Sequence, residues 1–315
     1  MKSLVLITAV LLTSVGLAGC TPPPEENGAG QQGTDPVDTP SSEQGETGTP
    51  TPGPAEEPSA INTEEELQAA LEAKNPGFEG RVQVRIDGDA ITGVMVNDPA
   101  VEDISPLAEL PLQMLDLRTC HVTDIGVLKG MRLFVLGLEE TGVRDLGPLK
   151  GMPLVELYLN RTKVEDLGPL EGAPLQKLYL PGTMVSDLTP VAKMAQLESL
   201  WLNDTPVSDV TPLRTVPLVS LTLAGTEVSD LSPLKGLPLR RLHVARSKVT
   251  DLSPLQWLQL ERLVFTPNKI EKGIEVARKM VSIREIGTAF GEEGRENDIM
   301  APHVFWPLYD AGEFD

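Results

Sequence analysis

Through the middle of this chain, leucine takes the first, fourth and sixth places of a segment that restarts every 21 or 22 residues. Two copies state the rule: LVELYLNRTKVEDLGPLEGAP from Leu154 and LVSLTLAGTEVSDLSPLKGLP from Leu218. Segments begin at Ile91, Leu112, Leu133, Leu154, Leu175, Leu197, Leu218, Leu239 and Leu260. The first is degenerate, the last stops at Ile270, and the one 22-residue step falls at Ala195-Gln196. A unit this short cannot bury its apolar face alone, so successive units must stack. Within each, L-x-L alternates with period two and predicts a short strand; side by side, these strands make a parallel sheet. Leu136, Leu157, Leu178, Leu200, Leu221 and Leu242 then form one inward column, and Val143, Val164, Val185, Val207, Val228 and Val249 another. Each such side chain contributes roughly 1.5–3 kcal/mol on burial, before entropy. Opposite the strand, Ser, Thr or Gly precedes Pro at Ser105, Gly147, Gly168, Thr189, Thr211, Ser232 and Ser253. That reads as an N-cap followed by proline at the first helical position, with room only for a 3₁₀ turn.

The flanks break the period and predict caps. Asn62-Thr63-Glu64-Glu65-Glu66 starts a helix with Leu67, Ala70 and Leu71 on its apolar side, and 81–86 and 90–96 form a hairpin about Asp87-Gly88-Asp89. Beyond the repeats, 271–280 predicts a helix that turns Ile274, Ala277, Met280 and Val281 toward the last coil. The aromatic ending Phe305, Trp306, Tyr309 and Phe314 predicts a cover for the final sheet edge, or else a partner-binding peptide.

L-x-x-L-x-L followed by D-L/I-x-P-L, over about 91–270, resembles the bacterial leucine-rich repeat proteins of the internalin-like type. The resemblance implies an α/β repeat solenoid: a right-handed leucine-rich-repeat horseshoe of 21–22-residue coils with a concave parallel sheet, convex 3₁₀ turns and helical caps at both ends. It also implies binding of another macromolecule. Where that family usually carries asparagine, this chain has Thr141, Thr162, Thr183, Thr205 and Thr226, with Cys120 and Ser247 as variants. A hydroxyl still bonds backbone in the turn, with fewer bonds than an amide.

The chain's start changes the setting. Lys2, an apolar run from Leu4 to Leu12, and Leu17-Ala18-Gly19-Cys20 resemble a lipoprotein signal peptide. The resemblance implies cleavage before Cys20 and lipid on its sulfur, against the alternative of a simple secretory signal. Residues 21–60 hold nine prolines, eight acidic residues and no Lys or Arg, the composition of a disordered, self-repelling tether. The expected organisation is a signal peptide over 1–19, a tether over 20–60, an N-terminal cap over 61–90, repeats over 91–270 and a C-terminal cap and tail over 271–315. A net charge of −20 and a pI near 4.6 argue against nucleic acid as partner. After Cys20 only Cys120 remains, so the monomer has no internal disulfide.

Candidate binding residues come from the column between the two strand leucines: Met95, Asp116, Gly137, Tyr158, Tyr179, Trp201, Thr222, His243 and Val264. Aromatics are only 4% of the chain, yet three fall consecutively here. Tyr158, Tyr179 and Trp201 are expected to form a solvent-facing strip for a partner, the plain alternative being cross-strand stacking. Asp116, Glu139, Glu140 and Glu156 lie toward the N-terminal coils, and Arg240, Arg241, Arg246 and Arg262 toward the C-terminal ones. Arg241 and Arg262 stack like charges in one column, which an anionic group on a partner would explain; a solvated face with Glu261 beside Arg240 is the bland reading. The aspartates Asp103, Asp124, Asp145, Asp166, Asp187, Asp209, Asp230 and Asp251 are expected to hold turns rather than calcium. His121, His243 and His303 assemble no triad or zinc spacing, and no phosphate loop follows a strand. No enzyme, cofactor or metal is expected. The expectation is a binding protein of the bacterial cell envelope, held to a membrane by lipid, with a protein partner; a glycan ligand or a structural spacer is the alternative.

Overall fold

The structure, a computed structural model, describes residues 61–291 and 297–314. The expected signal peptide, Cys20 and tether lie outside the described residues. Twelve strands form one sheet in chain order. β1 (Gln83–Asp87) pairs antiparallel with β2 (Ala90–Met95), as the Asp87-Gly88-Asp89 signal requires. From β2 the pairing is parallel through eight three-residue strands: β3 (Met114–Asp116), β4 (Val135–Gly137), β5 (Glu156–Tyr158), β6 (Lys177–Tyr179), β7 (Ser199–Trp201), β8 (Ser220–Thr222), β9 (Arg241–His243) and β10 (Arg262–Val264). The register joins each residue to its counterpart one coil on, so the leucines between them, Leu115 to Leu263, stand in a column at most 1% exposed.

Eight 3₁₀ turns close the coils on the other side. Their capping differs from expectation. The Ser, Thr or Gly before proline is the first residue of the turn, and the cap comes from the aspartate two residues earlier. In all eight, Oδ1 accepts that residue's N–H at 2.7–2.8 Å. Glycine has no side chain to cap with, whereas the aspartate column is unbroken. The hydroxyl column serves the opposite bend: Thr141, Thr162, Thr183, Thr205, Thr226 and Ser247 each donate to the carbonyl three residues back, at 2.6–2.8 Å. One residue before it, the chain turns left-handed in seven successive coils, at Thr119, Glu140, Arg161, Gly182, Asp204, Gly225 and Arg246. This costs each non-glycine residue roughly 1–2 kcal/mol. It is offset by N–H donation to the next coil, as from Glu140 to the Asn160 carbonyl at 2.8 Å.

At the N-terminal end, α1 (Glu64–Lys74) starts with a capping box between Thr63 and Glu66 and buries Leu67 and Leu71. Buried Asn75 ties it to the first coil, donating to the Asp103 carbonyl and accepting from the Glu102 and Asp103 N–H groups at 2.8–2.9 Å.

The C-terminal end departs further from the sequence reading. The parallel ladder continues past Ile270: β11 (Glu285–Ala289) pairs with β10, and β12 (Asp298–Met300) returns antiparallel as the edge. Between β10 and β11, α2 (Ile274–Lys279) stands on the side of the 3₁₀ turns. It begins at Gly273 (φ 78°), where a Cβ would lie 2.2 Å from the Ser253 backbone nitrogen. Ala277 is buried as expected, but Val281 is almost fully exposed, because the helix ends at Lys279 and Val281 follows in a turn. The aromatic tail forms α3 (Pro302–Asp310). Phe305 packs on Phe265 and Phe314, with centroids at 5.7 and 4.8 Å. These rings close the end of the core; the sheet edge is β12.

Candidate functional site

On the face of the sheet opposite the leucine column, β5, β6 and β7 bring Tyr158, Tyr179 and Trp201 into direct register. Tyr158 meets Tyr179 edge-on at 5.1 Å, and Tyr179 stacks on Trp201 at 4.5 Å with planes 20° apart. The expected solvent-facing strip is therefore corrected: Tyr158 and Tyr179 are only 4% and 8% exposed, and Trp201 is half-buried. Strands about 4.8 Å apart leave no room for rings lying flat side by side, so each ring stands and covers its neighbour. Tyr158 donates its hydroxyl to Glu156, which also pairs with Lys177 Nζ at 2.8 Å. Burial, with that carboxylate beside it, drives the Tyr158 hydroxyl pKa well above the ordinary phenol range.

The C-terminal basic residues are largely engaged. Arg262 pairs with Glu285 at 2.5 Å and lies 3.9 Å over the Phe290 ring. Arg240 pairs with Glu261 at 3.3 Å, the neutralised arrangement that competed with an anionic ligand. Arg246 reaches across two coils to Asp204 at 2.9 Å. It can do so because Gly225 stands between them, where a Cβ would come within 2.1 Å of Asp204 Oδ1. Arg241 is exposed and in no ion pair among the described residues. His243 is 3% exposed rather than presented, and its Nδ1 accepts from the Ala245 N–H at 3.3 Å. Past β11 the chain returns to this face, bringing Gly291 against Trp201, with 3.9 Å from a Cβ position to the indole.

The N-terminal coils hold the features the sequence reading missed. Asp116 is 2% exposed and bound by Arg118 through Nε (3.1 and 3.0 Å) and Nη2 (2.5 Å). Next to it Gly137 leaves the sheet bare: a Cβ there would meet Asp116 Oδ1 at 3.0 Å and Glu139 Oε2 at 3.2 Å. Glu139 is half-buried, and its Oε2 is enclosed without a hydrogen-bond partner among the described residues. Burial pushes its pKa up to about 7; Asp116 and Glu140 add to the rise, and Arg118 opposes it. Asn160 Oδ1 in the next coil and Trp201 Nε1 further along are likewise enclosed and unpartnered. The period places all these residues on one face, but their satisfaction depends on contacts between coils.

The histidines stand in separate elements, a turn, β9 and α3, and the aspartate column is consumed by the turn caps. Among the described residues, no group of three or more His, Cys, Asp or Glu side chains is placed to hold a metal ion. Nor is any helix among them long and apolar enough to cross a membrane.

No family model and no curated protein matches the chain. Solved structures do. An internalin (InlF) from Listeria monocytogenes is similar at 26% identity and a TM-score of 0.52, over 60% of this chain and 64% of that one. Internalin C2 (InlC2) of the same organism is similar at 26% identity and a TM-score of 0.50, over 56% of this chain and 81% of that one. The chain thus spans under two thirds of InlF's length. With the in-register parallel sheet and the repeated 3₁₀ turns, these likenesses establish the architecture: the chain folds as a leucine-rich-repeat solenoid whose structural neighbours are bacterial internalins.

Proposed function

We propose that this chain is an exported protein of the bacterial envelope, held to a membrane by lipid on Cys20, and that it binds a protein partner along the sheet face. Tyr158, Tyr179, Trp201, Glu139 and Glu156 form the N-terminal and central part of that surface, and Arg241, Arg246, Arg262 and His243 its C-terminal part. One observation carries the reading. Polar atoms of Glu139, Asn160 and Trp201 are enclosed and unpartnered on a single face of a chain whose turns are otherwise systematically capped. Buried polar atoms normally find partners, and a row of exceptions on one surface points to groups supplied from outside. Protein is favoured over glycan because Tyr179 and Trp201 stack face to face, occupying ring faces that a sugar would need.

The test is crosslinking capture by the full chain from envelope extract, alongside a polysaccharide array. The expected result is a discrete protein partner lost on Tyr158→Ala plus Trp201→Ala, with no array signal. A partner retained by the double variant, or binding confined to polysaccharide, would overturn the assignment. Intact mass of the mature protein tests the anchor separately: it should begin at a lipid-modified Cys20, and an unmodified start elsewhere refutes it.

A further inference from the structure

The acidic groups of the N-terminal coils are not equivalent. Asp116 is held by Arg118, Glu156 by Lys177 and Tyr158, and Glu140 by Arg161 at 3.3 Å. Glu139 alone in this group is half-buried and takes part in no ion pair among the described residues. Its neighbours do not supply the missing charge. Arg118 and Asp116 face it from the preceding coil as a bonded pair, Glu140 adds negative charge from its own coil, and Tyr158 stands in the next. Asn160, also in the next coil, adds a second enclosed acceptor. The result is a surface rich in acceptors and short of donors. Gly137 beside it removes the side chain that would otherwise fill the space between Asp116 and Glu139.

We infer that Glu139 is the docking point for a lysine ammonium group of the protein partner, received over Gly137 between the Asp116 and Glu139 carboxylates. The inference rests on the reading of this face as a protein-binding surface and names the chemistry of one contact on it. An ammonium carries three donors and no acceptor, which matches a locus offering carboxylate and amide oxygens. It is also compact enough for a space bounded by a bare glycine. Charge complementarity favours the same partner, since the chain carries a net charge of −20. Docking has a proton consequence. The ammonium pairs with the ionised carboxylate, so below the Glu139 pKa of about 7 binding must first release a proton. Affinity should then fall by about tenfold for each further pH unit until Glu139 titration no longer limits it.

The experiment titrates the isotope-labelled full chain with acetyl-trilysine amide, using acetyl-triglutamine amide as the neutral counterpart and acetyl-triarginine amide as the alternative cation. The expected result is a saturable shift of the Glu139 side-chain carbonyl carbon and the Gly137 amide with trilysine. Binding should strengthen from pH 6 to 7 and level off above it. Glu139→Gln should bind at least about tenfold more weakly and lose that pH dependence, while Glu140→Gln retains both. Gly137→Ala should also weaken binding; no positive φ restricts that position, so the fold tolerates the added methyl.

The inference is overturned if the Glu139 carbon is unmoved, if triglutamine shifts it equally, or if Glu139→Gln binds as the parent does. Stronger triarginine binding at the same carbon would replace ammonium with guanidinium and overturn the lysine assignment. A partner that is captured by Glu139→Gln but lost by the Tyr158 and Trp201 double variant would sink this contact alone. Absence of any captured protein would sink the binding reading, while the trilysine titration still decides the contact.

Discussion

Replacing Glu139 by glutamine should stabilise the protein in a strongly pH-dependent way. Glutamine keeps the size of the side chain and mimics the uncharged carboxyl, so the comparison isolates the cost of ionising Glu139 in place. Folding raises this pKa from 4.5 to about 7, chiefly through burial. Between those values the folded chain holds the proton more tightly than the unfolded chain. Stability present below pH 4.5 is therefore lost progressively as the pH rises through 7. At about 1.36 kcal/mol per unit the full displacement corresponds to roughly 3 kcal/mol, an upper figure because the side chain is only half-buried. Urea unfolding of the parent and of Glu139→Gln at pH 4.5, 6, 7 and 8, followed by circular dichroism, measures the difference directly. It should be near zero at pH 4.5 and should grow to about 2–3 kcal/mol in favour of glutamine at pH 8. A difference independent of pH, or a parent more stable than the variant at pH 8, would refute the claim that Glu139 sits without a countercharge.

Asp209→Ala removes the acceptor for the Thr211 N–H and should cost about 1 kcal/mol by the same urea assay. The carboxyls of Asp103, Asp187, Asp209 and Asp251 are held below the usual value of 3.8 by side-chain hydroxyls and backbone N–H groups of the turns. Their contribution is present above pH 3.8 and disappears only as the pH falls through the lowered values, so acid unfolding monitored by far-ultraviolet dichroism should lie below pH 3.8. Leu157→Ala opens the centre of the leucine column, where the side chain is 0% exposed, and should cost about 2–5 kcal/mol in denaturant unfolding. Cys120 is fully buried and its thiol is pushed up to about 11 by burial. Iodoacetamide at pH 8 should leave it unmodified in the folded chain and label it rapidly in urea, as read by peptide mass.

The repeat determined most of the architecture before any coordinate was known. A 21-residue period forces equivalent residues into columns, because each coil can bury its leucines only against identical positions of its neighbours. Hence the register, the inner leucine and valine walls, the turns opposite the strands and the alignment of Tyr158, Tyr179 and Trp201 were all legible. The caps were legible only in part. Thr63 and Glu66 announce α1 by a local rule, whereas β11 and β12 lack the leucine signature and join the sheet through pairing with β10. What tertiary structure alone decided is which of the aligned side chains are spoken for. Arg246 finds Asp204 two coils away because Gly225 lets it pass, Arg262 finds Glu285 and Phe290 beyond the last leucine segment, and Glu139 finds nothing. Periodicity fixes the face on which a residue stands, through backbone geometry repeated at every coil. Charge pairing and desolvation depend on the particular side chains that arrive beside it from 21, 23 or 42 residues away, and no local pattern specifies those.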